Sequence, residues 1–328
     1  FNQAIVIPAY AELEFLPLTI ESINQNKPEL LNQTLVVVVV NNANNSPQSI
    51  KANNQLTIQK INENNYQFTL AVIDAASPGL ELPLKHAGVG LARKIGMDLA
   101  LPHLTSPQSL IFCTDADTQV SPDYLSKVKQ YFKSQNTSAA VIGFDHLQSE
   151  DSAINDAIGK YENFLKTTAE KMKNAGSPYG YVSMGSTIVC TAEVYCAVGG
   201  MSRKKATEDF YFLQELTKYC GVHNIPDILV FPSPRPISRV HLGTGFRMEQ
   251  MQNGFDITNL YYSNDAFLYL SNWLQLGSIA WKVPLHKLLN NISDIHPQLV
   301  EFLKLEGIED VWSKIQNNAP SKSHFTEQ

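Results

Sequence analysis

Leu110-Ile111-Phe112-Cys113-Thr114-Asp115-Ala116-Asp117 is the stretch on which the reading of the fold turns. Four apolar residues read as a buried strand, and at Thr114 the chain switches to two carboxylates two residues apart. At a strand-to-loop transition such a pair can point into one site and hold a divalent cation that also bridges nucleotide phosphates. An Asp-x-Asp pattern arises by chance in many chains, so its weight here comes from the strand in front of it.

Working outward, strand-like runs at 4–8, 35–40, 68–74, 109–113 and 139–144 alternate with amphipathic stretches at 15–24, 48–61, 91–101 and 122–134. That alternation predicts an α/β domain with a mostly parallel, Rossmann-like sheet and helices on both faces. The run 35–40 has no polar alternation, as expected at the centre of a sheet covered on both sides. Beyond 144 the pattern predicts a helix over 156–173, a strand region over 180–190 and a short helix over 192–198, stopped by Gly199-Gly200. A helix over 208–219 and a strand over 228–231 follow. From Met248 onward the chain reads as helical and aromatic, with Phe267, Tyr269 and Trp273 at core-packing spacing.

Composition narrows the function classes. With 328 residues and 44% hydrophobic content the chain can bury a large core without a disulfide or metal staple. A net charge of -6 with no long basic block argues against nucleic acid as a partner. The run 35–40 is far short of the roughly 20 apolar residues a membrane span needs. The cysteines (Cys113, Cys190, Cys196, Cys220) form no Cys-x-x-Cys pair and read as buried, reduced thiols in a cytoplasmic protein. Phe1-Asn2-Gln3 leads directly into a strand-like segment with no basic region of a secretory signal. Because the first residue is not Met, a segment ahead of it stays open.

In open α/β sheets ligands bind beyond the carboxyl ends of the strands. There lie Pro8-Ala9-Tyr10, Asn41-Asn42, Asp74 and Asp115-Ala116-Asp117, although Asp74 reads equally well as a surface-loop residue. Gly88-Val89-Gly90 through Gly96 has its third glycine out of register and follows the third strand, so it is not a dinucleotide fingerprint. Arg93 within it points either toward Asp115, Asp117 or phosphates, or simply to solvent. Glu208-Asp209 open a helix, where the dipole favours acids, and one of them could serve as a general base. The segment from Arg235 through Arg239 and His241 to Gly243 reads as a phosphate-binding loop, and a neutral His241 could ligate a manganese-like cation.

Taken in order, these pieces resemble the family 2 glycosyltransferases of GT-A fold. The matching elements are Pro8-Ala9-Tyr10-Ala11-Glu12, Val39-Val40-Asn41-Asn42, Gly90-Leu91-Ala92-Arg93-Lys94-Ile95-Gly96 and Thr114-Asp115-Ala116-Asp117. Gly185-Ser186 leading to Val198-Gly199-Gly200-Met201, and then Glu208-Asp209-Phe210, complete the series. The resemblance implies a metal-dependent inverting transferase moving a sugar from a nucleotide-diphosphate sugar to a hydroxyl of a glycan, lipid or small molecule. Pro8, Ala9, Tyr10, Glu12, Asn42 and Asp74 would line the nucleoside site. Arg93, Ala116, Arg235 and Arg239 would line the diphosphate. Asp117 and His241 would hold Mn²⁺ or Mg²⁺, and Asp115 would contact that metal or the ribose. Asp209 would be the base, with Glu208 binding the acceptor or orienting Asp209.

The same resemblance implies a catalytic domain over 1–247, with a nucleotide-sugar half over 1–120 and an acceptor half over 121–247. A helical extension would cover 248–328. Two departures stand out: Asn41-Asn42 replaces the family's usual paired Asp, and Ala11 replaces its usual Asn, so uridine is not assumed. The element typical of processive synthases is absent, which points to a non-processive enzyme, cytoplasmic or peripheral at the inner face of a membrane. A sugar-nucleotide nucleotidyltransferase and a catalytically silent sugar- or nucleotide-binding protein remain as alternatives.

Overall fold

The computed structural model describes residues 1–236, 243–319 and 321–322. Among them the strands are β1 (Gln3–Ala9), β2 (Thr34–Asn41), β3 (Thr69–Ala75), β4 (Leu110–Cys113), β5 (Thr118–Val120), β6 (Ala139–Phe144), β7 (Ile188–Thr191) and β8 (His223–Pro232). The helices of the first part are α1 (Leu16–Asn24), α2 (Pro28–Leu31), α3 (Gln48–Asn62), α4 (Val89–Ala100), α5 (Tyr124–Gln135) and α6 (Ser152–Asn174). They continue with α7 (Ala192–Ala197), α8 (Glu208–Cys220), α9 (Thr244–Gln252), α10 (Asn264–Ile279), α11 (Leu285–Ile295), α12 (Pro297–Leu305) and α13 (Ile308–Asn318).

All eight strands form one sheet in the order β3-β2-β1-β4-β7-β6-β8-β5. The block β3-β2-β1-β4 is parallel throughout, with Val6 of β1 opposite both Val37 of β2 and Cys113 of β4. In that register the carboxyl ends of four strands lie side by side. β7 runs antiparallel to β4 and β6, while β8 is parallel to β6 and antiparallel to β5. Every residue of β1 and β2 is buried, which is why these strands carry almost no polar alternation.

Three expectations need correction. The three-residue strand β5, directly after Asp117, is too short to leave a period in the sequence. The region 180–190 is a strand only from Ile188; Gly185–Thr187 is a 3₁₀ turn, for a reason that lies in the site. Cys196 and Cys220 are exposed, so only Cys113 and Cys190 are buried thiols; all four are unpaired.

The chain divides into two compact units. The first comprises Phe1–Asn163 and Val182–Ile257 and contains the whole sheet. The second comprises Phe164–Tyr181 and the chain from Thr258 onward. Its core gathers Leu288, Ile292, Ile308 and Trp312, with Trp273 and Trp281 packed against them. Trp312 Nε1 donates to Val283 O at 3.0 Å, satisfying the one polar atom its burial threatens.

Candidate active site

The carboxyl ends of β1 and β2 are tied together by amides. Asn54, on α3, donates to Asn41 O at 3.0 Å and to Asn42 Oδ1 at 2.8 Å, and its own Oδ1 accepts from Ala11 N at 2.9 Å. Asn41 Nδ2 donates to Ala9 O and Val39 O, and Asn42 Nδ2 to Ala43 O and Ala76 O. Both ends of the Asn42 amide are therefore engaged inside the protein. Asp74 accepts from Ala76 N, Ser77 N and Ser77 Oγ. Burial pushes its carboxyl up, but these three bonds outweigh burial and hold it below the usual carboxylate range.

The loop after β4 is fixed from three directions. Thr114 N donates to Val6 O at 3.1 Å, Thr19 Oγ1 of α1 to Ala116 O at 2.9 Å, and Ser233 N to Asp117 O at 3.1 Å. Ala116 is buried between two half-buried acids, so Asp115 and Asp117 face the accessible side.

Two guanidiniums bind these acids. Arg93 of α4, 3% exposed, donates through Nη1 to Glu208 Oε1 and through Nη2 to Asp115 Oδ1. Burial works against its charge, yet Asp115 and Glu208 outweigh burial and keep it firmly protonated. Arg235, following β8, reaches Asp117 Oδ2 at 3.0 Å through Nε and Glu12 Oε2 at 2.5 Å through Nη2. Its guanidinium carbon lies 4.0 Å from the centre of the Phe15 ring.

Close approach explains the glycines. A Cβ added at Gly90 would lie 2.2 Å from Lys204 O and 2.9 Å from Glu208 Cβ, so the turn before α8 and its first residue both press on α4. A Cβ at Gly185 would lie 2.2 Å from Arg93 Nη2, so the turn ahead of β7 lies flat on the guanidinium. Gly96 faces Val6 and Val39 of the sheet. Gly185 thus serves packing on Arg93, Gly90 the contact of α4 with α8, and Gly96 the contact of α4 with the sheet.

Four carboxylates (Glu12, Asp115, Asp117, Glu208) thus meet two guanidiniums, and a fifth, Asp209, follows Glu208 in the chain. Burial pushes Asp117 up to about 6 despite Arg235, with Asp115 and Glu12 adding to the rise. Burial pushes Glu208 up to about 7 despite Arg93, with Asp209 adding to the rise. Asp209 is also raised by burial, offset by Arg93 and by the Phe210 N–H that bonds its Oδ1 at 2.8 Å. An excess of acid held at raised pKa favours a cation at the open face.

Among the described residues no three acidic, histidine or cysteine side chains converge as a metal cluster. The donor chemistry nevertheless fits a hard divalent ion. Asp115 uses Oδ1 for Arg93 and Asp117 uses Oδ2 for Arg235, leaving one oxygen on each with no hydrogen bond to a described residue. Arg239 and His241 lie outside the described residues. The structure joins the expected site residues in two ion-pair groups, Arg93 with Asp115 and Glu208 and Arg235 with Glu12 and Asp117, puts Asp209 next to Glu208 in the chain, and puts Pro8, Ala9 and Tyr10 at the end of β1. Sequence reasoning missed Asn54, Thr19 and Phe15, whose contacts with Ala11, Ala116 and Arg235 span 43, 97 and 220 residues.

A sheet whose parallel strand ends gather such acids defines a glycosyltransferase of GT-A fold. The profile of glycosyl transferase family 2 matches residues 4–188, more than half of the chain, and the chain belongs to that family. Among solved structures, S. aureus TarS 1-349 in complex with UDP-GlcNAc is similar at 13% identity and a TM-score of 0.51, over 100% of this chain and 89% of that one. A mannosyltransferase, PcManGT from Pyrobaculum calidifontis in complex with GDP-Man and Mn²⁺, is 13% identical with a TM-score of 0.47, over 99% of this chain and 85% of that one. No curated protein sequence matches the chain. Among the described residues no helix is long and apolar enough to cross a membrane.

Proposed function

We propose that the protein is a metal-dependent, inverting glycosyltransferase that moves a sugar from a nucleotide-diphosphate sugar to an acceptor hydroxyl, with Asp209 as general base. The observation that carries this reading is that one buried guanidinium, Arg93, holds Asp115 of the Asp-x-Asp loop and Glu208 at the start of α8. Groups suited to the donor diphosphate and to the acceptor hydroxyl are thereby locked to each other. The catalytic assignment covers 1–247, with 248–328 as a helical extension. Unpaired cysteines fit a cytoplasmic setting.

Asp115 and Asp117 would hold Mn²⁺ or Mg²⁺, which when bound supplies neutralising charge at the leaving diphosphate. Glu208 is only 3% exposed and is committed to Arg93, so it orients rather than reacts. Asp209 is half-buried, and its Oδ2 is left for the acceptor. It takes the hydroxyl proton as the acceptor oxygen attacks the anomeric carbon opposite the diphosphate. The bond from that carbon to the phosphate oxygen breaks, its electron pair leaves with the nucleoside diphosphate, and configuration inverts. Pro8, Ala9, Tyr10, Asn42 and Asp74 would border the nucleoside end, with Arg235 beside the phosphates; the roles expected of Arg239 and His241 fall outside the described residues.

The test is Asp209→Asn, assayed with UDP-GlcNAc and GDP-Man with and without Mn²⁺. The expected loss in kcat is about 10²–10⁴-fold, with nucleotide-sugar binding by calorimetry retained. Turnover at the wild-type rate would overturn the base assignment, and a product of retained anomeric configuration by NMR would overturn inversion.

A further inference from the structure

We propose that the acceptor carries negative charge close to the hydroxyl that reacts, and that Arg203, Lys204 and Lys205 receive it. The inference rests on Asp209 marking the acceptor side of the site. Three consecutive cations are unusual in a chain of net charge -6, and all three are exposed. None of them forms an ion pair with a described carboxylate; single lysines elsewhere, such as Lys129 and Lys133, also lack one, and what sets these three apart is that they are consecutive and lie just ahead of α8.

The loop is held at the site. Its carbonyl at Lys204 and the first residue of α8 meet α4 at the same point, Gly90, and a Cβ at Gly88 would lie 3.0 Å from Lys205 Cα. Asp209 is four residues beyond Lys205. Next to it, Phe210 and Tyr211 are 46% and 39% exposed, although the buried face of α8 is made by Phe212, Leu213 and Leu216. Their rings meet edge-on at 5.5 Å, and Lys204 Nζ sits 3.0 Å from the centre of the Tyr211 ring. Core packing needs neither ring; Lys204 covers one face of Tyr211, and Phe210, 46% exposed, offers an aromatic face to the apolar side of a sugar or polyol.

Electrostatics selects the charge. An anionic acceptor approaching five carboxylates would be repelled, and a neutral one would need no cations at the entrance. Arg203 and Lys205, with Lys204 lying over the Tyr211 ring, put positive charge just ahead of Asp209 without pairing with the acids that work on the donor. Phosphodiester and carboxylate groups share this chemistry.

The experiment measures transfer to saccharides of one backbone in neutral, uronate-bearing and phosphodiester-bearing forms. The expected result is transfer to one or both charged forms, with an acceptor KM that climbs with salt. The triple variant Arg203→Gln/Lys204→Gln/Lys205→Gln is expected to raise that KM about tenfold or more, with the donor KM unchanged. The charge-conserving Arg203→Lys/Lys204→Arg/Lys205→Arg is expected to restore it. Which charged form is used identifies the source of the anion. Equal KM for neutral and charged forms overturns the inference, as does a rise in donor KM instead of acceptor KM. Loss of binding to phosphatidylglycerol vesicles with acceptor KM unmoved overturns it in favour of a membrane surface. No turnover of any donor counts against the transferase mechanism itself, and this inference falls with it; transfer to neutral forms alone sinks only the inference.

Discussion

Gly185 lies flat against the guanidinium of Arg93: a methyl group there would sit 2.2 Å from Nη2 and 2.5 Å from Cζ. Neither partner can yield, because Arg93 is enclosed and bonded to Asp115 and Glu208. Gly185→Ala is therefore expected to cost about 1–3 kcal/mol by overpacking. Arg93→Ala, which leaves Glu208 buried and unpaired, is expected to cost about 3–5 kcal/mol. Urea titrations measure both. Activity should fall further than stability does in Gly185→Ala, since a displaced Arg93 separates the Asp-x-Asp loop from α8.

Arg235 competes with any cation for Asp117. Its guanidinium takes one oxygen of Asp117 and one of Glu12, and it is propped on Phe15. Removing it in Arg235→Ala takes this guanidinium away from Asp117. Mn²⁺ alone, titrated calorimetrically without nucleotide, is expected to bind about tenfold more tightly, a change of about 1.4 kcal/mol. Nucleoside diphosphate without metal should bind more weakly in the same variant, because the cation lost is one that can face phosphate. Unchanged Mn²⁺ affinity would mean that Asp117 is not a ligand.

Raised carboxyls give the protein a pH dependence of definite sign. Glu208 sits at about 7 against an ordinary 4.5, and Asp117 at about 6 against 3.8, in both cases chiefly through burial. Between those limits the folded chain binds more protons than the unfolded one, so their contribution to stability is full at low pH and is lost as pH rises through 6 and 7. Urea midpoints should fall from pH 5 to pH 8, less steeply in Asp117→Asn. Turnover runs the other way: Asp209, also raised, must be ionised to accept a proton, so the acid limb of the rate profile should climb with pH.

The parts of this molecule written in local pattern are legible in the amino-acid sequence. The unbroken apolar run of β2 and the polarity switch at Thr114 each depend only on neighbours in the chain. So do the order of the motifs and the acids at the head of α8. What stays hidden depends on partners far apart in sequence. Arg93 reads as much like a surface residue as a site residue, because Glu208 lies 115 residues on. Gly185 reads as part of a strand until the guanidinium above it is seen. β5 exists because it pairs with β8, and three residues carry no periodicity of their own.

Asn42 tests how deeply the family's usual acid has been designed out. Its Oδ1 accepts from Asn54 Nδ2 at 2.8 Å, while its Nδ2 donates to Ala43 O at 3.1 Å and Ala76 O at 3.3 Å. In Asn42→Asp the first bond survives, but the second oxygen faces two carbonyls and loses both bonds in a site that is 1% exposed. The expected cost is about 1–3 kcal/mol from unpaired buried acceptors, visible as a lower urea midpoint and greater above pH 6 than at pH 4. Asn54→Ala should fail similarly and also release Ala11 N, so the donor KM should rise more than kcat falls. If instead Asn42→Asp is as stable as the wild type and binds UDP more tightly, the amide lattice is replaceable, and residue 42 reads the base directly.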